Sequence, residues 1–240
     1  MNIEPGTLYI VATPIGNLAD MTYRAVEVLS QVEAIYAEDT RVSGVLLKHY
    51  QIEAPLFSYR EAAERNQVEK TIRQIIFSLY EGKSLAYISD AGTPGVSDPG
   101  SYLVQKVLGA GFSVTPIPGV SALATLLSVS GLVVQRPLFV GFLPKKKGHQ
   151  TLMKSLKEGL SSGSYDGLVF YESPERIIKL LQELLEWTMP IMVCLGRELT
   201  KIYEEFLRGS VEEVLAILQK RPSIKGEITL IVTLENKKES

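Results

Sequence analysis

The chain has 240 residues, a formal net charge of −2 and a pI of about 5.9. That length fits one large domain or two small ones, and the bulk charge gives no ground for a nucleic-acid partner without a local basic patch. One cysteine, Cys194, excludes an internal disulfide, and with two distant histidines, His49 and His149, there is no metal-ligand spacing.

The start, MNIEPGTLYIV, lacks a basic stretch ahead of a long apolar run, so no signal peptide is expected. Val120 to Val134 is the longest mildly apolar stretch. It is broken by Ser121, Ser128, Ser130 and Gly131, so no membrane span is expected. A reducing cytoplasm is the expected compartment. Leu8 to Ala12 predicts a strand opening into Thr13-Pro14-Ile15-Gly16-Asn17. Thr22 then predicts a helix N-cap. Val32 to Ala37 predicts a second strand, ending in Glu38-Asp39-Thr40-Arg41. Arg65 to Tyr80 carries apolar residues at helical spacing. Leu85 to Ile88 predicts a third strand, Tyr102 to Leu108 a helix, and Ser113 to Ile117 a fourth strand.

Pro116-Ile117-Pro118-Gly119 predicts the internal boundary, giving an N-terminal α/β domain over 1–117 and a C-terminal one over 118–240. Beyond it, strands are expected at Leu138–Phe142, Leu168–Tyr171, Ile191–Leu195 and Ile228–Val232. Helices are expected from Ser121, after His149, at Ser173-Pro174-Glu175 and over Glu212–Gln219. The first half suits parallel pairing; the second suits a parallel or a mixed sheet. Cys194, inside MVCLG, reads as a buried thiol.

The segment Ser89 to Gly100, SDAGTPGVSDPG, carries the most chemistry. Three glycines and two prolines exclude a helix or a sheet interior. Such a loop at a strand end lets a ligand approach the backbone. Thr13–Asn17 and Pro118–Ala122 repeat the pattern. None matches a P-loop or a G-x-G-x-x-G fingerprint. Several charged residues also follow strands. Glu38-Asp39-Thr40-Arg41 reads either as a helix cap or as part of a site. Arg197, Glu198 and Lys201 read as an ion-paired turn or a site, and Glu172 as a first-turn acid or a base. Lys145, Lys146 and Lys147 read as a solvated loop or as a grip on a phosphodiester backbone.

Together, the segments LYIVATPIGNLAD, YAEDTR, YISDAGTPGVSDPG, PIPGVSA, FVGFLP, FYESPER, GRELTK and GEITLIV resemble the tetrapyrrole methylase superfamily of S-adenosylmethionine-dependent methyltransferases. More closely they resemble its branch that methylates small-subunit (16S) ribosomal RNA on a ribose 2′-oxygen, a cytidine. The G-x-G-P-G-like first loop and the G-D-P third loop of the tetrapyrrole enzymes are altered here, which argues against a porphyrinoid substrate. The resemblance implies two α/β domains with the S-adenosylmethionine cofactor in the cleft between them, a homodimer, no metal, and ribosomal RNA within the small subunit as partner. It places Asp90, Ala91, Gly92 and Thr93 on the cofactor's amino-acid part, with Ser121 and Ala122 beside it. Pro14, Ile15 and Tyr171 complete the expected set, and Gly226, Glu227 and Ile228 close over the adenine end. A ribose hydroxyl is a weak nucleophile, so a base or a cation near the oxygen is expected. Glu38, Asp39, Glu172 and Glu198 are candidate proton acceptors. Arg41, Arg197 and Lys201 are candidate charge stabilisers, with Asp39 and Arg41 expected to position substrate.

Overall fold

The computed structural model describes residues 3–235. The chain divides into two compact units, Met1–Ser121 and Ala122–Ser240.

In the first unit the order is β1 (Thr7–Val11), α1 (Tyr23–Gln31), β2 (Ala34–Ala37), α2 (Thr40–His49), β3 (Leu56–Ser58), α3 (Arg65–Tyr80), β4 (Leu85–Ile88), α4 (Ser101–Gly109) and β5 (Ser113–Ile117). The strands form one parallel sheet, ordered β3-β2-β4-β1-β5. Alternate residues of the central strands feed two cores. Tyr9, Val11, Ile35, Ala37, Ala86 and Ile88 pack with Val28 and Leu29 of α1 and Leu47 of α2. Leu8, Tyr36, Leu85 and Tyr87 pack with Ile72, Ile75 and Leu79 of α3 and Leu103 and Val107 of α4. A sheet covered on both faces needs uninterrupted apolar strands, which is why LYIV and LAYI read as they do. Thr22 caps α1 as expected, its side chain accepting from the Ala25 N–H. The second strand is shorter than expected, because Val32 closes α1 through a bond to the Val28 carbonyl. β3 was not expected; it is a three-residue strand at the sheet edge, after Pro55.

The second unit contains α5 (Ala122–Val129), β6 (Pro137–Phe142), α6 (His149–Ser161), β7 (Gly167–Glu172), α7 (Pro174–Leu185), β8 (Ile191–Arg197), β9 (Glu205–Ser210), α8 (Val211–Gln219) and β10 (Ile228–Leu234). Its sheet, ordered β6-β7-β10-β8-β9, is mixed: only β6 and β7 run parallel. Ile177, Leu180, Leu181 and Leu184 of α7 recur at three- and four-residue spacing and bury one stripe of the helix against the sheet. Cys194 is fully buried, and burial pushes its thiol pKa up, as expected of a structural cysteine. β9 was not expected, since EFLRGS is an edge strand without a buried residue.

Glu205 of β9 ties three elements together. It accepts from Arg197 Nε at 2.9 Å and from Arg221, just past α8, at 2.8 and 2.5 Å. The Arg221 guanidinium, with help from Arg197, pulls the Glu205 carboxyl from 4.5 down to about 2. A depressed folded-state pKa contributes stability above the unfolded value and loses it as pH falls through the folded one. Urea unfolding is therefore expected to show stability declining from pH 4.5 toward 2, with Glu205→Gln flattening that decline. A decline of equal slope in the variant would contradict it. No helix among the described residues is long and apolar enough to cross a membrane.

Candidate active site

Four loops of the first unit follow the carboxyl ends of its parallel strands, where open α/β sheets bind ligands. The loops after β1 and β4 are laced together. Thr13 N–H donates to the Gly92 carbonyl at 2.8 Å and Gly92 N–H returns to the Thr13 carbonyl at 3.0 Å. Thr13 Oγ1 donates to the Ser89 carbonyl, and Thr93 Oγ1 to the Val120 carbonyl at 3.0 Å. Gly92 sits at φ +79°, and a Cβ there would lie 3.3 Å from Ile15 Cγ2. A Cβ on Gly119 would approach Ala12 Cβ to 2.9 Å. These glycines let three loop backbones converge. The structure thus brings together Pro14, Ile15, Ala91, Gly92 and Thr93. Asp90 stands exposed at the tip of β4, and Ser121 ends the segment that holds Val120.

The loop after β2 brings the charge. Asp39 N–H donates to Asp90 Oδ1 at 3.0 Å, coupling the ends of β2 and β4. The Asp39 side chain caps α2, accepting from Arg41 N–H at 2.8 Å, and is gripped by Arg41 Nε at 3.0 Å and NH2 at 2.5 Å. That grip holds the Asp39 carboxyl far below the usual range, so it is a poor proton acceptor. Its neighbour differs. Glu38 is half-buried, and among the described residues no lysine or arginine nitrogen lies within ion-pair distance of its carboxylate. Burial, then the charges of Asp90 and Asp98, push its pKa upward. The Glu38 charge is also felt by Tyr87, whose hydroxyl is fully buried and without a hydrogen-bond partner. A carboxylate perturbed in this way at a strand end is a candidate functional group. The charged tetrad pointed to this place. Which of its two acids stays free depends on Arg41 folding back onto Asp39.

In the second unit the remaining expected residues surround the start of β10. Ile228 lies opposite Glu172 on β7 and Arg197 on β8. Gly226 and Glu227 precede it, and a Cβ on Gly226 would strike Glu198 Cγ at 2.3 Å. Tyr171 Oη accepts from Leu123 N–H at 3.2 Å, next to Ala122 at the start of α5. Three of the expected catalytic groups are held in bonds within the second unit. Glu172 is 3% exposed; its oxygens accept from Arg176 Nε and NH2, both at 2.6 Å, and from Ser173 N–H at 2.7 Å. Glu198 accepts from Lys201 Nζ at 2.8 Å and Glu227 N–H at 2.9 Å, which pulls its pKa down. Arg197 is engaged by Glu205 and the Lys225 carbonyl. All three groups are engaged in bonds that brace the sheet. Lys145, Lys146 and Lys147 are exposed before α6.

A parallel α/β unit with small-residue strand ends, followed by a mixed α/β unit, is an architecture that serves many small-ligand reactions rather than one. Comparison makes it specific. The family model described as Tetrapyrrole (Corrin/Porphyrin) Methylases matches residues 7–215, and this chain belongs to that family. Two solved structures share the fold. Uroporphyrin-III-C-methyltransferase from Thermus thermophilus has a TM-score of 0.62 at 21% identity, covering 95% of this chain and 94% of its own. A cobalt precorrin-4 methyltransferase has a TM-score of 0.63 at 16% identity, covering 94% of each chain. Among curated relatives, a ribosomal RNA small subunit methyltransferase I from Thermotoga maritima is 43% identical over 95% of this chain and 98% of its own length. The protein of that name from Streptococcus pyogenes serotype M1 is 46% identical over 95% of this chain and 76% of its own length. The chain is a methyltransferase, and its methyl donor is S-adenosylmethionine.

The first unit fits that donor, which carries a sulfonium and an ammonium. Exposed Asp90 supplies negative charge. The glycines at 92 and 119 leave backbone open beside it. Among the described residues no group of three or more His, Cys, Asp or Glu is arranged to hold a metal ion.

Proposed function

We propose that this chain methylates a ribose 2′-oxygen, that of a cytidine, in small-subunit ribosomal RNA, acting in the cytoplasm as a homodimer on the small ribosomal subunit. The observation that carries this reading is similarity through the whole chain: 43% identity to the Thermotoga maritima relative runs over 228 residues and leaves no unit unmatched. The altered first and third loops support an acceptor other than a macrocycle.

When bound, the donor supplies a methyl group activated on sulfur; the chain supplies positioning and a place for the proton. In this reading Asp90, Ala91, Gly92, Thr93, Pro14, Ile15 and Ser121 hold the donor through carboxylate and backbone groups. Glu38 receives the proton of the attacking hydroxyl. Asp39 and Arg41, locked together, fix the end of β2 and so orient Glu38. Positioning of this kind supplies much of the rate in a displacement. Asp90→Asn keeps the shape that receives the Asp39 N–H and removes the charge. A hydrogen bond to a charged group is worth about 1.5–3 kcal/mol, so calorimetry is expected to show donor affinity lowered by about 10- to 100-fold. Unchanged affinity would remove Asp90 from the site.

The reading is tested by methyl transfer to naked ribosomal RNA and to assembled small subunits, with nuclease mapping to separate ribose from base methylation. A ribose product on either supports it. A base product, or transfer to a porphyrinoid macrocycle alone, would overturn it.

A further inference from the structure

A second site lies wholly within the second unit. A cavity of about 260 Å³ is walled by the loop before α6, the start of α6 and one side of α7. Its basic lining is Lys145, Lys146, His149, Arg176 and Lys179, set against only two acids, Glu172 and Glu183. Both acids are engaged within the wall. Glu172 takes two N–H groups of Arg176. Glu183 takes His149 Nε2 at 2.7 Å on one oxygen and lies 3.7 Å from Lys179 Nζ through the other. Both nitrogens of His149 face acceptors, since Nδ1 lies 2.9 Å from the Pro144 carbonyl. Lys145 and Lys146 have no carboxylate within ion-pair distance among the described residues.

The cavity thus carries excess positive charge with its own acids already engaged. Arg176 is held by three bonds, to both Glu172 oxygens and to the Leu143 carbonyl at 3.0 Å. One hydrogen on each terminal guanidinium nitrogen stays free. A guanidinium fixed in this way is organised in advance for a tetrahedral oxyanion. The cavity is small for a macrocycle.

We propose that this cavity seats one phosphodiester of the RNA backbone, with Lys145 and Lys146 closing over it and Arg176 donating from the floor. This rests on the proposed RNA substrate. It also separates Lys147 from its neighbours: Lys147 carries the same charge but does not line the cavity.

The test is equilibrium binding of naked small-subunit ribosomal RNA over a range of salt concentrations, using K145Q/K146Q, K145R/K146R and K147Q. The double glutamine variant is expected to raise Kd about tenfold and to lower the magnitude of the salt slope by about one, the signature of one lost phosphate contact. The double arginine variant is expected to keep both, and K147Q to change Kd by less than about twofold. Equal effects of K147Q and K145Q/K146Q would show diffuse attraction and overturn the proposal, as would an unchanged slope in K145Q/K146Q. Binding and turnover fail separately. RNA that binds with this slope pattern but receives no methyl group would keep the phosphate site and sink the substrate reading. Methyl transfer with an unaltered slope in K145Q/K146Q would do the reverse.

Discussion

Glu38→Gln is expected to lower kcat for methyl transfer by about 10²- to 10⁴-fold, the range that a positioned proton acceptor contributes. The substitution keeps the volume of the side chain and removes its charge and its ability to take a proton. Donor affinity is expected to stay within about threefold, so the loss falls on the chemical step. The pH profile sharpens the test. Burial, then the charges of Asp90 and Asp98, raise the Glu38 pKa above 4.5, while Arg60 opposes them. A base works when deprotonated, so the wild-type rate is expected to rise with pH through that elevated range. Glu38→Gln removes this acid limb. Asp90→Asn takes away one like charge, so the limb moves to lower pH. A Glu38→Gln enzyme with wild-type kcat and an intact acid limb would take the proton from Glu38 and leave the fold untouched.

The same residues show what a linear reading reaches. Glu38 and Asp39 are neighbours in one charged tetrad, and strand-end position marks both. Only the folded backbone brings the Arg41 side chain onto Asp39, and only β4 brings Asp90 and Asp98 toward Glu38. The central strands were legible because burial on both faces demands unbroken apolar runs, as in LAYI and in the LIV of β10. β3 and β9 were not, because an edge strand has no such demand and neither carries a buried residue. The small-residue loops were legible as loops at strand ends, since glycine and proline exclude a helix or a sheet interior. The pairing of Glu172 had a signal available. Glu172 and Arg176 stand four apart across the start of α7, a spacing that pairs opposite charges on a helix face. Lys147 could not be told from Lys145 and Lys146, because the cavity wall that divides them is completed by α7, more than a full strand away in sequence.

That pair carries the second large effect, and it is one of stability. Glu172→Ala is expected to lower the unfolding free energy of the second unit by about 3–5 kcal/mol, the cost of removing one partner from a buried ion pair. Three donors lose their acceptor at once: two N–H groups of Arg176 and the N–H of Ser173. Arg176 would keep only the Leu143 carbonyl, on a side chain that is 26% exposed and cannot fully regain water. The link between the end of β7, α7 and the loop after β6 would open together. Glu172→Met with Arg176→Met removes both charges and fills the same space, so this double variant is expected to be more stable than Glu172→Ala despite the larger change. Urea unfolding of the three proteins, followed by far-ultraviolet circular dichroism, gives the comparison. The donor affinity of folded Glu172→Ala, measured by calorimetry, is expected to match wild type. If Glu172→Ala instead unfolds at the wild-type urea concentration and loses turnover by orders of magnitude, Glu172 returns to the reaction as its base and the structural role argued for it here is wrong.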